Sequence, residues 1–352
     1  MSFGHGSQSL VMQNRDNAGE GMAAVLSCLE ELEMLLTPRT AVVHRYEIPS
    51  QMFAREAEIE MAKWTTEGNK GFPPGLPMPA FRAAIYDIGR ASAQLQAYRQ
   101  VVSISLLEHA DEAKAMLSQG RLMLGLGSLR GLIERVANLA ENLRRLLAHL
   151  PDPVEDFTKI LHAGEVIGRT LYSTRINWTV LAESELRTIK DNQMEYESSE
   201  YTSDMGAKSV MNGIDRLNKL VPGARASYAI LCEFLHPNVG DLISTTIEAE
   251  SFYDASGTRH MRRYIGKGAN NLDKQIDMMK VIDSVLSISG TIIARIPTLF
   301  EQLDQLVFRV TEATRKTQHK TLRRYKHLFS RGDPCLCLSG RTIGQCSPVS
   351  LR

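Results

Sequence analysis

Three of the chain's five cysteines fall within twelve residues near its end, at Cys335, Cys337 and Cys346. Thiolates are strong zinc ligands, and a C-x-C pair can aim two of them at one ion across a tight turn. A short Gly-containing loop then brings back a third. The chemistry this spacing points to is zinc binding by Cys335, Cys337 and Cys346. The next residue, Ser347, carries a hydroxyl that keeps its proton at neutral pH and ligates zinc poorly. The fourth place therefore falls to water, to His319 or His327, or to nothing. A short terminal turn has no cleft around it, so an open position is not read as catalytic. Cys28 and Cys232 stand alone in apolar patterns and read as core residues.

The segment that carries this tail is strongly basic. Residues 315–331 hold seven Lys or Arg and no acid. On a helical wheel Arg315, Lys316, His319, Lys320, Arg323, Arg324 and His327 take one half, and Leu322, Tyr325, Leu328 and Phe329 the other. A cationic half of this kind suits an anionic partner, such as RNA, a ribonucleoprotein or an acidic protein, with Arg315, Lys316, Lys320, Arg323 and Arg324 as the binding residues. The plainer alternative is a stalk that packs its apolar edge and solvates its charges beside the acidic stretch 183–204.

The order Asp333-Pro334-Cys335-Leu336-Cys337, then Ser339-Gly340, then Cys346, resembles the SEC-C motif, a zinc-binding knuckle appended to many bacterial proteins. That resemblance implies one zinc and an interaction role. Leu338 stands where the motif has its first loop glycine, and Ser347 where it has its fourth ligand. A second pattern, Arg144 followed by His149, resembles the R-x4-H signature of helical HEPN-type ribonucleases. By that resemblance Arg144 would stabilise a phosphate and His149 would act as acid or base. Arg145 departs from the polar residue customary after the arginine. Residues 128–134 and 228–238 resemble segments of uncharacterised all-helical bacterial proteins, some HEPN-like, from which no activity follows. Within them Arg130 and Glu134 form either an ordinary i, i+4 pair or, with Tyr228, Glu233 and His236, a partly buried polar network.

Hydrophobic residues at 43% and charged residues at 23% are the proportions of an ordinary globular protein. Aromatics are sparse at 6%, and Leu, Ile, Ala and Met are plentiful, which favours helices. The expected class is all-α, a multi-helix bundle with a small hairpin near 247–265. Its central helix is a stripe of Leu122, Leu126, Leu129, Ile133, Val136, Ala140, Leu143, Leu147 and Leu150, stopped by Pro151. A first helix runs from Met22 until Pro38 ends it. The most apolar stretch, Val281 to Pro297, is broken by Asp283 and Arg295 and is too short to span a bilayer. With no signal peptide at the start, a cytoplasmic location without membrane contact is expected. Thiols there stay reduced, which favours metal over disulfide.

The chain is thus expected to divide into a disordered 1–20, a helical body 21–312, a basic stalk 313–331 and a knuckle with its tail 332–352. A Gly/Pro-rich connector crosses the body at 68–79. There is no Walker loop, no Rossmann glycine pattern, no H-E-x-x-H and no G-x-S-x-G. The reading is a metal-binding interaction or adaptor protein for a protein or ribonucleoprotein partner. The alternative is a HEPN-like ribonuclease using Arg144 and His149.

Overall fold

The structure, a computed structural model, describes residues 20–41, 85–150, 157–172, 210–235, 246–265, 276–336 and 341–346. These residues are 84% helical with one small sheet, an all-α multi-helix arrangement. In chain order the elements are α1 (Glu20–Thr40), α2 (Arg90–Ser118), α3 (Leu122–His149), α4 (Phe157–Tyr172), α5 (Val210–Leu220) and α6 (Ala224–Leu235). A hairpin of β1 (Thr246–Tyr253) and β2 (Arg259–Ile265) follows. The chain closes with α7 (Ile276–Ile293), α8 (Ile296–Arg324) and a single turn, α9 (Ile343–Cys346). The connector 68–79, the acidic stretch 183–204, His236, Cys337 and Ser347 lie outside the described residues.

The fold contains two compact units. The first takes Met1–Ala41, Val102–Glu141 and Val210–Leu299, and the second takes Val42–Val101, Asn142–Ser209 and Phe300–Arg352. The boundary expected at residue 312 falls inside α8, and the basic stretch begins as the second half of that helix.

In the first unit α1 packs along α7, burying Val25, Leu29, Leu32 and Leu36 on one side and Ile282, Val285 and Leu286 on the other. Gly21 opens this contact: its N–H donates to Asp283 Oδ1 at 2.9 Å. A Cβ there would come within 2.5 Å of the same carboxylate, so the position requires glycine. Pro38 does not stop α1, which runs on to Thr40. Proline removes only one i→i−4 bond, here in the final turns, and Thr37 Oγ1 donates to Glu33 O at 2.8 Å beside the gap.

The central helix forms as expected, from Leu122 to His149, but its buried positions are not one stripe. Leu126, Leu129, Ile133, Val136, Ala140 and Leu143 are buried, yet Leu147 is 53% exposed and Leu146 is fully buried. A heptad stripe slips about 20° per repeat against a straight 3.6-residue helix. That slip turns Leu147 only about 60° from Leu126, the direction of the buried Leu129, so it does not expose Leu147; Leu146 instead continues a second buried line with Leu132 and Leu139. This helix is therefore packed on more than one side. Gly213 of α5 sits against it so closely that a Cβ would come 2.7 Å from the Ala137 carbonyl oxygen. α2 ends upstream at Gly120, whose φ of +69° is the left-handed cap that glycine adopts without strain. The Arg121 N–H closes the cap on Met116 O at 2.9 Å.

The expected hairpin is present, with Phe252 opposite His260 and their rings stacked at 5.2 Å. Its tip is organised by Asp254, which accepts from the N–H groups of Ser256 and Thr258, both at 2.9 Å, and from His260 Nε2 at 2.7 Å. Donation from the Ser256 hydroxyl, and then from His260, holds this carboxyl down at about 2.

In the second unit α2 and α8 are joined by polar contacts as well as apolar ones. Arg99 pairs with Asp304 at 3.2 Å, and Ser92 Oγ meets Thr311 Oγ1 at 2.8 Å. Asn142 Nδ2 donates to the buried Tyr98 hydroxyl at 3.0 Å, and burial pushes that phenol up to about 12. The core of this unit includes Ile85, Ile88, Ile160, Ala313, Leu322, Phe329, Leu336 and Ile343, with Tyr86, Tyr325 and Leu328 packed on its edge.

Candidate metal centre and cationic surface

The end of the chain folds back on itself through backbone bonds that the local sequence dictates. Asp333 closes a turn around Arg331 and Gly332, its Oδ2 accepting from the Ser330 N–H at 2.8 Å. Pro334 then pairs with Thr342 in an antiparallel bridge. Cys335 N–H donates to Arg341 O at 2.7 Å, and Ile343 N–H to Asp333 O at 2.9 Å. Thr342 starts α9, and its own N–H donates to Gln345 Oε1 at 3.1 Å, one half of the capping box that T-x-x-Q encodes. Gly344 N–H reaches Arg331 O at 2.9 Å, where a Cβ on Gly344 would stand 3.1 Å from the same oxygen.

This places Cys335 on one bridged arm and Cys346 at the end of the turn that follows the other. Cys335 is buried and Cys346 half-buried, and neither is in a disulfide. Cys337 lies outside the described residues. Two thiols are half of the donor set that a tetrahedral soft-metal site takes. Among the described residues no three His, Cys, Asp or Glu side chains gather to hold a metal. His319 and His327 therefore do not complete a trio with Cys335 and Cys346. His327 is exposed on the 3-10 turn Lys326–Leu328. His319 sits half-buried on α8, where burial, then Arg315 and Arg323, hold its imidazole below the ordinary value.

The basic residues line the outer side of the second half of α8. Arg315, Lys316, Lys320, Arg323 and Arg324 are all exposed, followed by Lys326 and Arg331. Arg315 is engaged with Glu312 through two nitrogens, at 2.9 and 3.2 Å, and Arg324 lies 5.4 Å over the Tyr325 ring. The inner side is not the simple apolar half that the wheel implies. Thr314, Thr317, Gln318 and Thr321 are buried there beside Ala313 and Leu322. Their spacing of three, one and three residues is a helical stripe in its own right, and that spacing is the sequence signal for them. The Oγ1 atoms of Thr314 and Thr317 find no partner among the described residues, whereas Thr321 Oγ1 donates to Thr317 O at 2.9 Å.

Arg144 and His149 are both exposed near the end of α3. Five residues on one continuous helix are about 140° apart around its axis, so the two point to different sides. Arg130, Glu134 and Tyr228, in contrast, are brought together. Tyr228 donates to Glu134 Oε1 at 2.7 Å, and Arg130 Nη2 pairs with the same oxygen at 3.2 Å. The Arg130 guanidinium also lies 5.7 Å over the Tyr228 ring, while its Nε is buried with no partner among the described residues. Burial, then donation to Glu134, pushes the Tyr228 phenol up to about 12. Glu233 is exposed. The cluster ties α6 to α3.

Comparison with protein-family models, with curated proteins and with solved structures finds no match to this chain. The SEC-C and HEPN resemblances accordingly rest on the quoted residues alone.

The Tyr228 bond gives a direct stability prediction. Tyr228→Phe lowers the free energy of unfolding by about 1 kcal/mol, the usual worth of such a bond when water can partly replace it. In a Glu134→Gln background the same change costs less, because the charged acceptor is already gone. Urea unfolding of the four proteins measures this. Equal losses in both backgrounds would mean that the hydroxyl does not depend on Glu134.

Proposed function

We propose that this chain is a metal-binding interaction protein, in which Cys335, Cys337 and Cys346 hold zinc and the adjacent cationic face engages an anionic protein or ribonucleoprotein partner. The observation that carries the reading is the pairing of the Cys335 arm with the α9 turn beside a helix whose exposed side is cationic. Bound there, zinc would supply cross-linking of the short arms. The chain's own residues do the rest: Asp333, Pro334 and the Thr342–Gln345 cap set the arms in register. The exposed row Lys320, Arg323, Arg324 and Lys326 stands one helical turn or less apart, a spacing that suits successive backbone phosphates of a single strand. A cytoplasmic location belongs to the same proposal. Among the described residues one stretch, Lys280–Arg324, is long and apolar enough by length and composition to cross a membrane. Its apolar side chains Ile282, Val285, Leu286, Ile292 and Ile296 are buried in the fold instead.

Protein purified without chelator should carry about one zinc per chain. Ser347→Cys should retain it against a competing chelator that strips the native chain, because a fourth thiolate completes a tetrahedral site. Metal analysis before and after chelation tests this. Absence of zinc from both proteins would end the metal reading.

The cationic face is tested by neutralising Lys320, Arg323, Arg324 and Lys326 together. Each phosphate contact to single-stranded RNA contributes about 0.7 to the slope of log affinity against log salt, so losing four flattens it by nearly 3 units. Binding of a co-purified partner, or of a single-stranded RNA, is titrated at several salt concentrations with zinc content followed in parallel. An unchanged affinity and slope would leave the face a solvated surface.

A further inference from the structure

Phe308 breaks the pattern of α8. Leu299, Leu303, Leu306, Val310 and Leu322 of that helix are buried, whereas Phe308 is 68% exposed. Among the described residues it is the one large apolar side chain on the outer side of α8. Its helical neighbours are all polar: Asp304 and Gln305 a turn before, Thr311 and Glu312 a turn after, Glu301 and Arg315 two turns away. A helix that docks in an apolar groove shows anchors at i, i+3, i+4 and i+7, and a helix that lies in a membrane surface shows a whole apolar face. Here a single ring stands among polar groups. One flat aromatic face is the contact that one unpaired base takes.

The ring stands on a fixed part of the helix and at the head of its cations. One turn before it Asp304 pairs with Arg99 of α2 at 3.2 Å, and after it Thr311 Oγ1 meets Ser92 Oγ at 2.8 Å. From Arg309 to Arg324 there are six Lys or Arg and one acid, Glu312, which pairs with Arg315 at 2.9 Å. Arg315, Lys316 and Arg323 are exposed within about 80° of Phe308 around the axis, over about 22 Å of helix. We propose that Phe308 is a stacking platform for an unpaired base, and that the partner of the cationic side of α8 is a single-stranded nucleic acid. Its phosphates run along the Lys and Arg row, and one base lies on the ring. The proposal deepens the cationic-surface part of the reading above and rests on it. Charge alone would serve an acidic protein equally well. The ring separates the two, because stacking needs a planar π-face, which every base has and a row of carboxylates lacks.

The test is binding of a single-stranded RNA of about 12 nucleotides to the full chain, titrated at several salt concentrations. Phe308→Ala, at an exposed position, should bind roughly tenfold more weakly, the loss expected for one stacked base. Its slope of log affinity against log salt should stay as in the wild type, because no phosphate contact is removed. Phe308→Trp should hold the affinity, and its added indole fluorescence should be quenched by the RNA. Inorganic polyphosphate, which carries the charge without bases, should bind wild type and Phe308→Ala alike. Equal RNA affinity in wild type and Phe308→Ala would overturn the stacking role and leave the cationic reading standing. Equal losses for RNA and polyphosphate would also overturn it, since the ring would then not be reading bases. Wild type that binds polyglutamate but not RNA would overturn it in favour of an acidic protein. Wild type that binds none of the three would overturn both readings.

Discussion

The burial of Leu336 and Ile343, at 0% and 1% exposure, is the constraint on which the second unit turns. Neither residue belongs to a long helix, and each comes from one arm of a short paired segment at the end of the chain. Together with Leu322 and Phe329 they meet Ile85, Ile88 and Ile160, residues that come from far earlier in the sequence. Burying a Leu or Ile side chain is worth about 1.5–3 kcal/mol, so these two represent a large fraction of an ordinary margin of stability. Everything that keeps the arms in register serves that burial: the Asp333 turn, the Pro334–Thr342 bridge and the Gln318 bond to Leu336. Cys335 and Cys346 lie within the same framework, held by the N–H bonds of Cys335 to Arg341 O and of Cys346 to Thr342 O.

α8 joins this constraint to the cationic surface. Its exposed side carries the basic row, and its buried side carries the Thr and Gln stripe, from which Gln318 donates to the Leu336 carbonyl. A helix held on one side by packing presents the opposite side as a fixed array, which favours recognition of a repeated charge such as a phosphate backbone. Metal chemistry and partner binding, as proposed, would therefore share one element. The first unit is built differently. Its packing runs through α1, α3, α5, α6 and α7, with the Arg130–Glu134–Tyr228 cluster as a polar tie between α3 and α6.

Much of this was legible in the sequence, and the misses have physical causes. The helices of the first unit and the core positions of α7 and α8 follow from apolar periodicity, and the hairpin follows from its turn residues. Leu146 was missed because it lies with Leu132 and Leu139 on a second buried side of α3, which a single-stripe reading omits. Pro38 was read as a stop, although near a helix end it removes a single bond. The largest miss is the inner face of α8. A wheel that separates cations from aliphatics leaves Thr and Gln unassigned, and no local pattern says that a glutamine will meet a carbonyl eighteen residues later. The spacing of Cys335, Cys337 and Cys346 was visible, but nothing local marked Leu336 and Ile343 as core anchors. That these anchors enter a core with Ile85 and Ile160 is a long-range fact, which periodicity does not carry.

The most direct test of the account is the cost of removing the Leu336 side chain. Leu336→Ala and, as a comparison, Leu124→Ala, whose side chain is 55% exposed on α3, are to be unfolded in denaturant without added metal. If the terminal segment is part of the second unit's core, Leu336→Ala loses about 2–5 kcal/mol while Leu124→Ala stays within about 0.5 kcal/mol of wild type. Equal, small changes in both proteins would show that the knuckle is an appendage, and that the core stands without it.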